Sequence, residues 1–152
     1  MYLDLTPSAN LFYGFLGKGW KRLTISPSAT GATVSFTAST KVVMGNSVWV
    51  PAGTSVTYTV SAPGYDTATG TVTVNDFMSV SVELMVTLTI SPTPSDATVT
   101  LIATGYLQSG NSITVPYGTT VTYTVSATGY VTRTASMMMT STQTAEIELE
   151  PA

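Results

Sequence analysis

The side chains able to do chemistry in this 152-residue chain are few: eight carboxylates, five basic groups, and no histidine or cysteine. Without His and Cys there is no imidazole base, no thiolate nucleophile and no Ser-His-Asp or Cys-His arrangement. The usual zinc and copper ligands are missing as well. Carboxylate chemistry is the remaining option, and Glu83 and Glu148 lead it because they occupy the same place in a repeat. Paired acids can hydrolyse a glycosidic bond when held roughly 5–10 Å apart. Each copy, however, offers one such Glu on the exposed register of its final strand, with no second acid at a matching position. Asp66, Asp76 and Asp96 fall in turns, but no Asp-x-Asp cluster supplies the several oxygens that calcium requires. The expectation is a chain with no catalytic residue, no cofactor and no metal site.

The elements that must carry these residues are strands. Apolar residues make up 43% of the chain and charged residues 9%, against about 25% charged in ordinary soluble domains. Thr, Ser and Val fill the difference, and β-branched side chains suit a pleated, half-buried surface. Val56, Tyr58 and Val60 alternate with Thr57, Thr59 and Ser61, a period of two that sends one set to each face. Val72 and Val74, then Val80, Val82 and Leu84, repeat the pattern. Turn chemistry separates these runs at Ser26-Pro27, Gly45-Asn46, Pro51-Ala52-Gly53, Pro63-Gly64 and Asn75-Asp76.

The strongest signal is internal. Leu23-Thr24-Ile25-Ser26-Pro27 recurs as Leu88-Thr89-Ile90-Ser91-Pro92, a fixed offset from position 23 to position 88. The same offset carries Ala32-Thr33-Val34 onto Ala97-Thr98-Val99, and Val56 through Ala62 onto Val121 through Ala127, without a gap. A repeat of this kind dictates architecture. The fold class expected is all-β: two tandem small immunoglobulin-like β-sandwiches, 23–86 and 87–152, preceded by an irregular N-terminal segment, 1–22. So small a unit buries only about 60% of its unfolded surface and is marginal alone.

Tyr58, Tyr65, Tyr123 and Tyr130 recur in both copies. Tyr58 and Tyr123 lie on the apolar face and are expected to be buried equally, while the Gly64-Tyr65 and Gly129-Tyr130 tyrosines anchor loops to the core or line a sugar or peptide groove. Positions that differ between copies are free of the shared fold: Trp49 against Thr114, Lys41 against Tyr106, and Met137-Met138-Met139 against Val72-Thr73-Val74. One or two of those methionines must be core.

The N-terminal segment has no counterpart in the repeat. Leu11, Phe12, Tyr13, Phe15, Leu16 and Trp20 are too many apolar side chains for so short a segment to bury among themselves, and Gly14, Gly17 and Gly19 disfavour a helix. They dock on a partner or cover the first domain. Lys18, Lys21 and Arg22 hold three of the five positive charges, either as a solvated linker or facing an acidic partner surface. The net charge of −3 opposes binding to nucleic acid. No stretch approaches the ~20 apolar residues of a membrane span, and the basic residues follow the apolar run, the wrong order for a secretory signal. The expectation is a chain made and retained in a cytoplasm.

The order Leu-x-Ile-x-Pro, Ala-x-Val, Val-Pro-x-Gly, Tyr-x-Val-x-Ala-x-Gly-Tyr and a closing Leu84 or Leu149 resembles the PEGA domain and related bacterial immunoglobulin-like repeats, over the whole of both copies. Gly31-Ala32 retains part of the namesake motif, and Asp96-Ala97 departs from it. The resemblance implies a spacer or binding module without activity, found in surface, envelope and virion proteins. Joined to the missing export signal, it implies a bacteriophage virion component made in the host cytoplasm. A capsid decoration or head-fibre protein fits best, anchored by its N-terminal segment to other virion proteins and present as a homo-oligomer or in many copies. The alternative is a bacterial cell-surface or envelope adhesin module binding glycan or protein, and weak glycan contact is compatible with both.

Overall fold

The computed structural model describes residues 19–152. Fourteen strands and no helix run through them. They are β1 (Trp20–Pro27), β2 (Thr33–Thr37), β3 (Val42–Met44), β4 (Ser47–Pro51), β5 (Thr54–Ser61), β6 (Ala68–Val74), β7 (Met78–Val82), β8 (Met85–Thr93), β9 (Thr98–Ile102), β10 (Gln108–Ser109), β11 (Ser112–Pro116), β12 (Thr120–Ser126), β13 (Arg133–Met138) and β14 (Gln143–Glu148). The protein is all-β.

Each copy makes a four-stranded and a three-stranded sheet. The first has the orders β3-β4-β1-β7 and β2-β5-β6, the second β10-β11-β8-β14 and β13-β12-β9. Every strand of the second set is the first set's strand moved on by seven, so the repeat carries through to topology. In both, the first strand pairs antiparallel on one side and parallel on the other. Leu23 lies opposite Val48 of β4 and Met78 of β7, and Leu88 lies opposite Ile113 of β11 and Gln143 of β14.

Period two decides what is buried. Leu23 and Ile25 of β1, Val48 and Val50 of β4, Val56 and Val60 of β5 and Val74 of β6 are fully enclosed. Their counterparts in the second copy, from Leu88 and Ile90 to Val121, Val125 and Met139, form one continuous cluster. Each such side chain gains roughly 1.5–3 kcal/mol on burial. No polar or charged residue is buried among those described. Hydroxyls on the outward faces pair across strands instead, Thr57 with Thr71 at 3.0 Å and Thr122 with Ser136 at 2.9 Å. Of the three methionines, Met139 is core, Met137 packs against it and Met138 faces outward.

The Gly-Asn turns work as hairpins because glycine takes the first central position. Gly45 and Gly110 have φ of 57° there, closing Met44 onto Ser47 and Ser109 onto Ser112.

Three expectations meet a different structure. Trp20, Lys21 and Arg22, read as the end of an irregular segment, are the first residues of β1 and pair with Pro51, Val50 and Trp49. The compact units also differ from the copies. The first comprises 32–60, 68–82 and the described residues through Ser28, and the second comprises Ala29–Gly31, Ser61–Thr67 and Glu83–Ala152. Thirdly, Tyr123 is 6% exposed whereas Tyr58 is only half-buried. The cause is the cross-strand partner. Tyr58 lies opposite Gly70, and its ring fills the space where a Cβ would stand. Tyr123 lies opposite Ala135, whose methyl closes that space.

Tyr123→Ala is therefore expected to cost about 3–5 kcal/mol, the range for large aromatics, and Tyr58→Ala distinctly less. Urea midpoints of the two variants measure this, and equal losses would refute it.

Candidate functional site

Of the residues expected to dock on a partner, Leu11, Phe12, Tyr13, Phe15, Leu16 and Lys18 lie outside the described residues. Trp20, Lys21 and Arg22 are described, and β1 holds them. Arg22 sits opposite Trp49 on β4, which sits opposite Val42 on β3, a single row across the outer face of the four-stranded sheet. The Arg22 guanidinium lies 5.9 Å from the Trp49 ring centre. Phe77, just before β7, meets Trp49 edge-on at 5.7 Å and 82°. This row explains a break in the alternation: Val48, Trp49 and Val50 are all buried, the valines inward and Trp49 beneath its outer-face neighbours. Trp49 is 2% exposed and Phe77 46%.

The Lys21 ammonium stands 5.0 Å from the Phe77 ring centre and 3.4 Å from Asp76. Two of the three clustered cations thus have partners inside the first unit. The backbone N–H of Phe77, which donates to Asp76 at 2.8 Å, and then Lys21 hold the Asp76 carboxyl below the usual aspartate value.

The equivalent row in the second unit is built of threonine. Thr87, Thr114 and Thr142 stand where the first copy has Arg22, Trp49 and Phe77. The Thr87 and Thr114 hydroxyls are 2.7 Å apart, and the Thr142 hydroxyl accepts the Thr87 N–H at 3.0 Å. Asp66 completes the group, because its carboxylate accepts from Thr142 at 2.7 Å and from Thr87. The Asp66 N–H also donates to Met85 O at 2.9 Å, and Gly64 O accepts from the Thr142 N–H at 2.8 Å. These bonds assign Ser61–Thr67 to the second unit. In the second copy Val131 takes the place of Asp66 and donates its N–H to Glu150 O at 2.8 Å.

Both Gly-Tyr tyrosines, Tyr65 and Tyr130, pack against the second unit's core. Gly64 and Gly129 share a φ of 82°, the left-handed turn that a Cβ would resist. Tyr65 also stacks on Tyr117 at 5.9 Å and 27°. Tyr117 is 57% exposed. The acids are not gathered: Glu83, Glu146 and Glu148 are all exposed, and no three metal-ligating groups converge among the described residues. No helix among those residues is long and apolar enough to cross a membrane.

Residues 85–150 match the family model described as a head fiber dimeric protein-like domain. No curated protein matches the chain. Among solved structures, the Bacillus anthracis TIE protein aligns with 88% of this chain at 13% identity and a TM-score of 0.32. The chain spans 34% of that protein's length. The family match supports a phage head-fibre-like, immunoglobulin-type domain for the second copy.

Two outcomes follow from these contacts. Asp66→Ala should destabilise the second unit by about 1.5–3 kcal/mol, the range for hydrogen bonds to a charged group. Faster amide exchange at Thr87 and Thr142 would register it, and unchanged exchange would refute it. Asp76 should titrate below the ordinary aspartate value of about 3.9. A carboxyl held low stabilises while ionised, so its contribution is complete above that value and is lost as pH falls through the folded pKa. In an NMR titration Lys21→Met should raise the midpoint only part of the way, since the Phe77 N–H remains.

Proposed function

We propose that the chain is a structural component of a bacteriophage virion, a head-fibre or capsid-decoration protein that self-associates and is anchored by its N-terminal segment. The observation that carries this reading is the match of residues 85–150 to the head fiber dimeric protein-like domain. The repeat extends the same topology to the first copy, so two similar modules stand on one chain. Their surfaces bear cross-strand hydroxyl pairs and few charges, as suits a spacer without catalytic groups. The anchoring residues are Leu11, Phe12, Tyr13, Phe15 and Leu16, with Lys18 beside them. Burying several such side chains on a partner gains roughly 1.5–3 kcal/mol each, against about 1–2 kcal/mol for each residue whose backbone the contact fixes. The other virion proteins, the capsid first, are the partners.

A second reading, an envelope adhesin touching glycans, is favoured by one feature. The exposed Tyr117 ring, stacked on Tyr65, offers a flat apolar face of the kind that packs on a sugar.

The test is a truncation placed by the structure. Removing residues 1–18 leaves β1 whole, whereas a cut at 22 would remove its first three residues. The truncated chain is expected to keep its β-type circular dichroism and to vanish from purified particles. Normal incorporation would sink the anchor, and absence of the full-length chain from particles would sink the virion reading.

A further inference from the structure

The two copies share their sheet edges and treat them differently. Among the described residues, β9 of the second unit pairs with β12 on one side only. On its other side the Gln108 amide serves as a substitute strand. Its Oε1 accepts the Leu101 N–H at 2.7 Å, and its Nε2 donates to Val99 O at 2.8 Å and to Gly110 O at 2.6 Å. A single side chain thereby occupies two of the outward backbone groups through which another strand could add.

Among the described residues the first unit has no such cap. The position of Gln108 is taken by Val43, whose side chain cannot hydrogen-bond and which is 46% exposed. The groups equivalent to Leu101 N–H and Val99 C=O are Phe36 N–H and Val34 C=O on β2. Among the described residues β2 has only β5 as a neighbour. Charge follows the same division. Of the second copy's other edges, β13 carries Arg133 and β14 carries Glu146 and Glu148, while β2, β6 and β7 carry none. Charged edge residues are a standard defence against strand addition, and the first copy lacks them on all three.

We propose that β2 pairs antiparallel with β2 of a second copy of this chain across a twofold axis. The proposal deepens the self-association suggested above and rests on it. The strand meets the requirements of self-pairing. A twofold axis at Ser35 sets Ser35 against its own copy, so a charge there would face itself, and the exposed side chains are Thr33, Ser35 and Thr37. Val34 of one copy then lies opposite Phe36 of the other. Those are the residues whose N–H and C=O point outward, so each such pair exchanges both backbone bonds. The contact joins two three-stranded sheets edge to edge and is isologous, closing at two copies. β6 and β7 are equally uncharged, but among the described residues it is at β9, the counterpart of β2, that the second copy places a side chain on the edge groups themselves.

Sedimentation velocity of the full chain over graded concentrations tests this, with circular dichroism to confirm folding. Wild type is expected to reach a dimer. Val43→Gln installs the missing cap and Ser35→Lys sets like charges opposite each other. Each should raise the dimer dissociation constant by roughly tenfold or more, while Ser81→Glu on β7 leaves it unchanged. A dimer that survives both changes, or one that Ser81→Glu breaks equally, overturns the β2 edge but not self-association. A wild-type chain that stays monomeric overturns both, and particle incorporation of that monomer would leave the virion reading standing.

Discussion

The constraint on which the rest depends is an interior that accepts no polar side chain. Each copy must close two sheets over one core within a short stretch of chain, and none of the buried residues among those described is polar. Burying an unpaired amide or hydroxyl there would cost several times the gain from one methylene. Every fully buried residue is therefore apolar or aromatic, and the cross-strand hydroxyl pairs lie on the outward faces. Only the outward positions are free to vary, and there Arg22, Trp49 and Phe77 of the first copy give way to Thr87, Thr114 and Thr142 of the second.

Much of this is legible in the sequence. Alternation at Val56 and Val60 places them inside, and the Gly-Asn pairs locate two hairpins. The constant offset between the copies anticipates one topology used twice. Less is legible at the start of the first copy. Lys21 and Arg22 read as a linker because charges are rare within strands, yet their counterparts Val86 and Thr87 already lie in an apolar-alternating run. The repeat holds the cue where local composition hides it.

The remaining gaps arise from contacts that no local pattern encodes. Asp66 bonds to the hydroxyl of Thr142, far along the chain, and nothing near it announces that partner. The difference between Tyr58 and Tyr123 is not written at either tyrosine but at Gly70 and Ala135 across the strand. Gln108 reads as an ordinary polar residue in a turn, and its work becomes visible only with β9 beside it. The N-terminal side chains expected from the sequence to dock, among them Leu11 and Phe12, lie outside the described residues. The legible part is the periodic core, and the illegible part is each single side chain reaching across the fold.

The parallel pairing of first and last strands has a mechanical consequence. The Leu23–Pro27 stretch of β1 runs alongside Met78–Val82 of β7 in the same direction. Tension entering at the head of β1 and leaving at the tail of β7 pulls the two strands past each other along their length. All the bonds between them then bear load together, in shear, instead of parting one at a time as in an unzipping hairpin. The same holds for β8 and β14, so each module is strongest along the direction in which its chain is pulled.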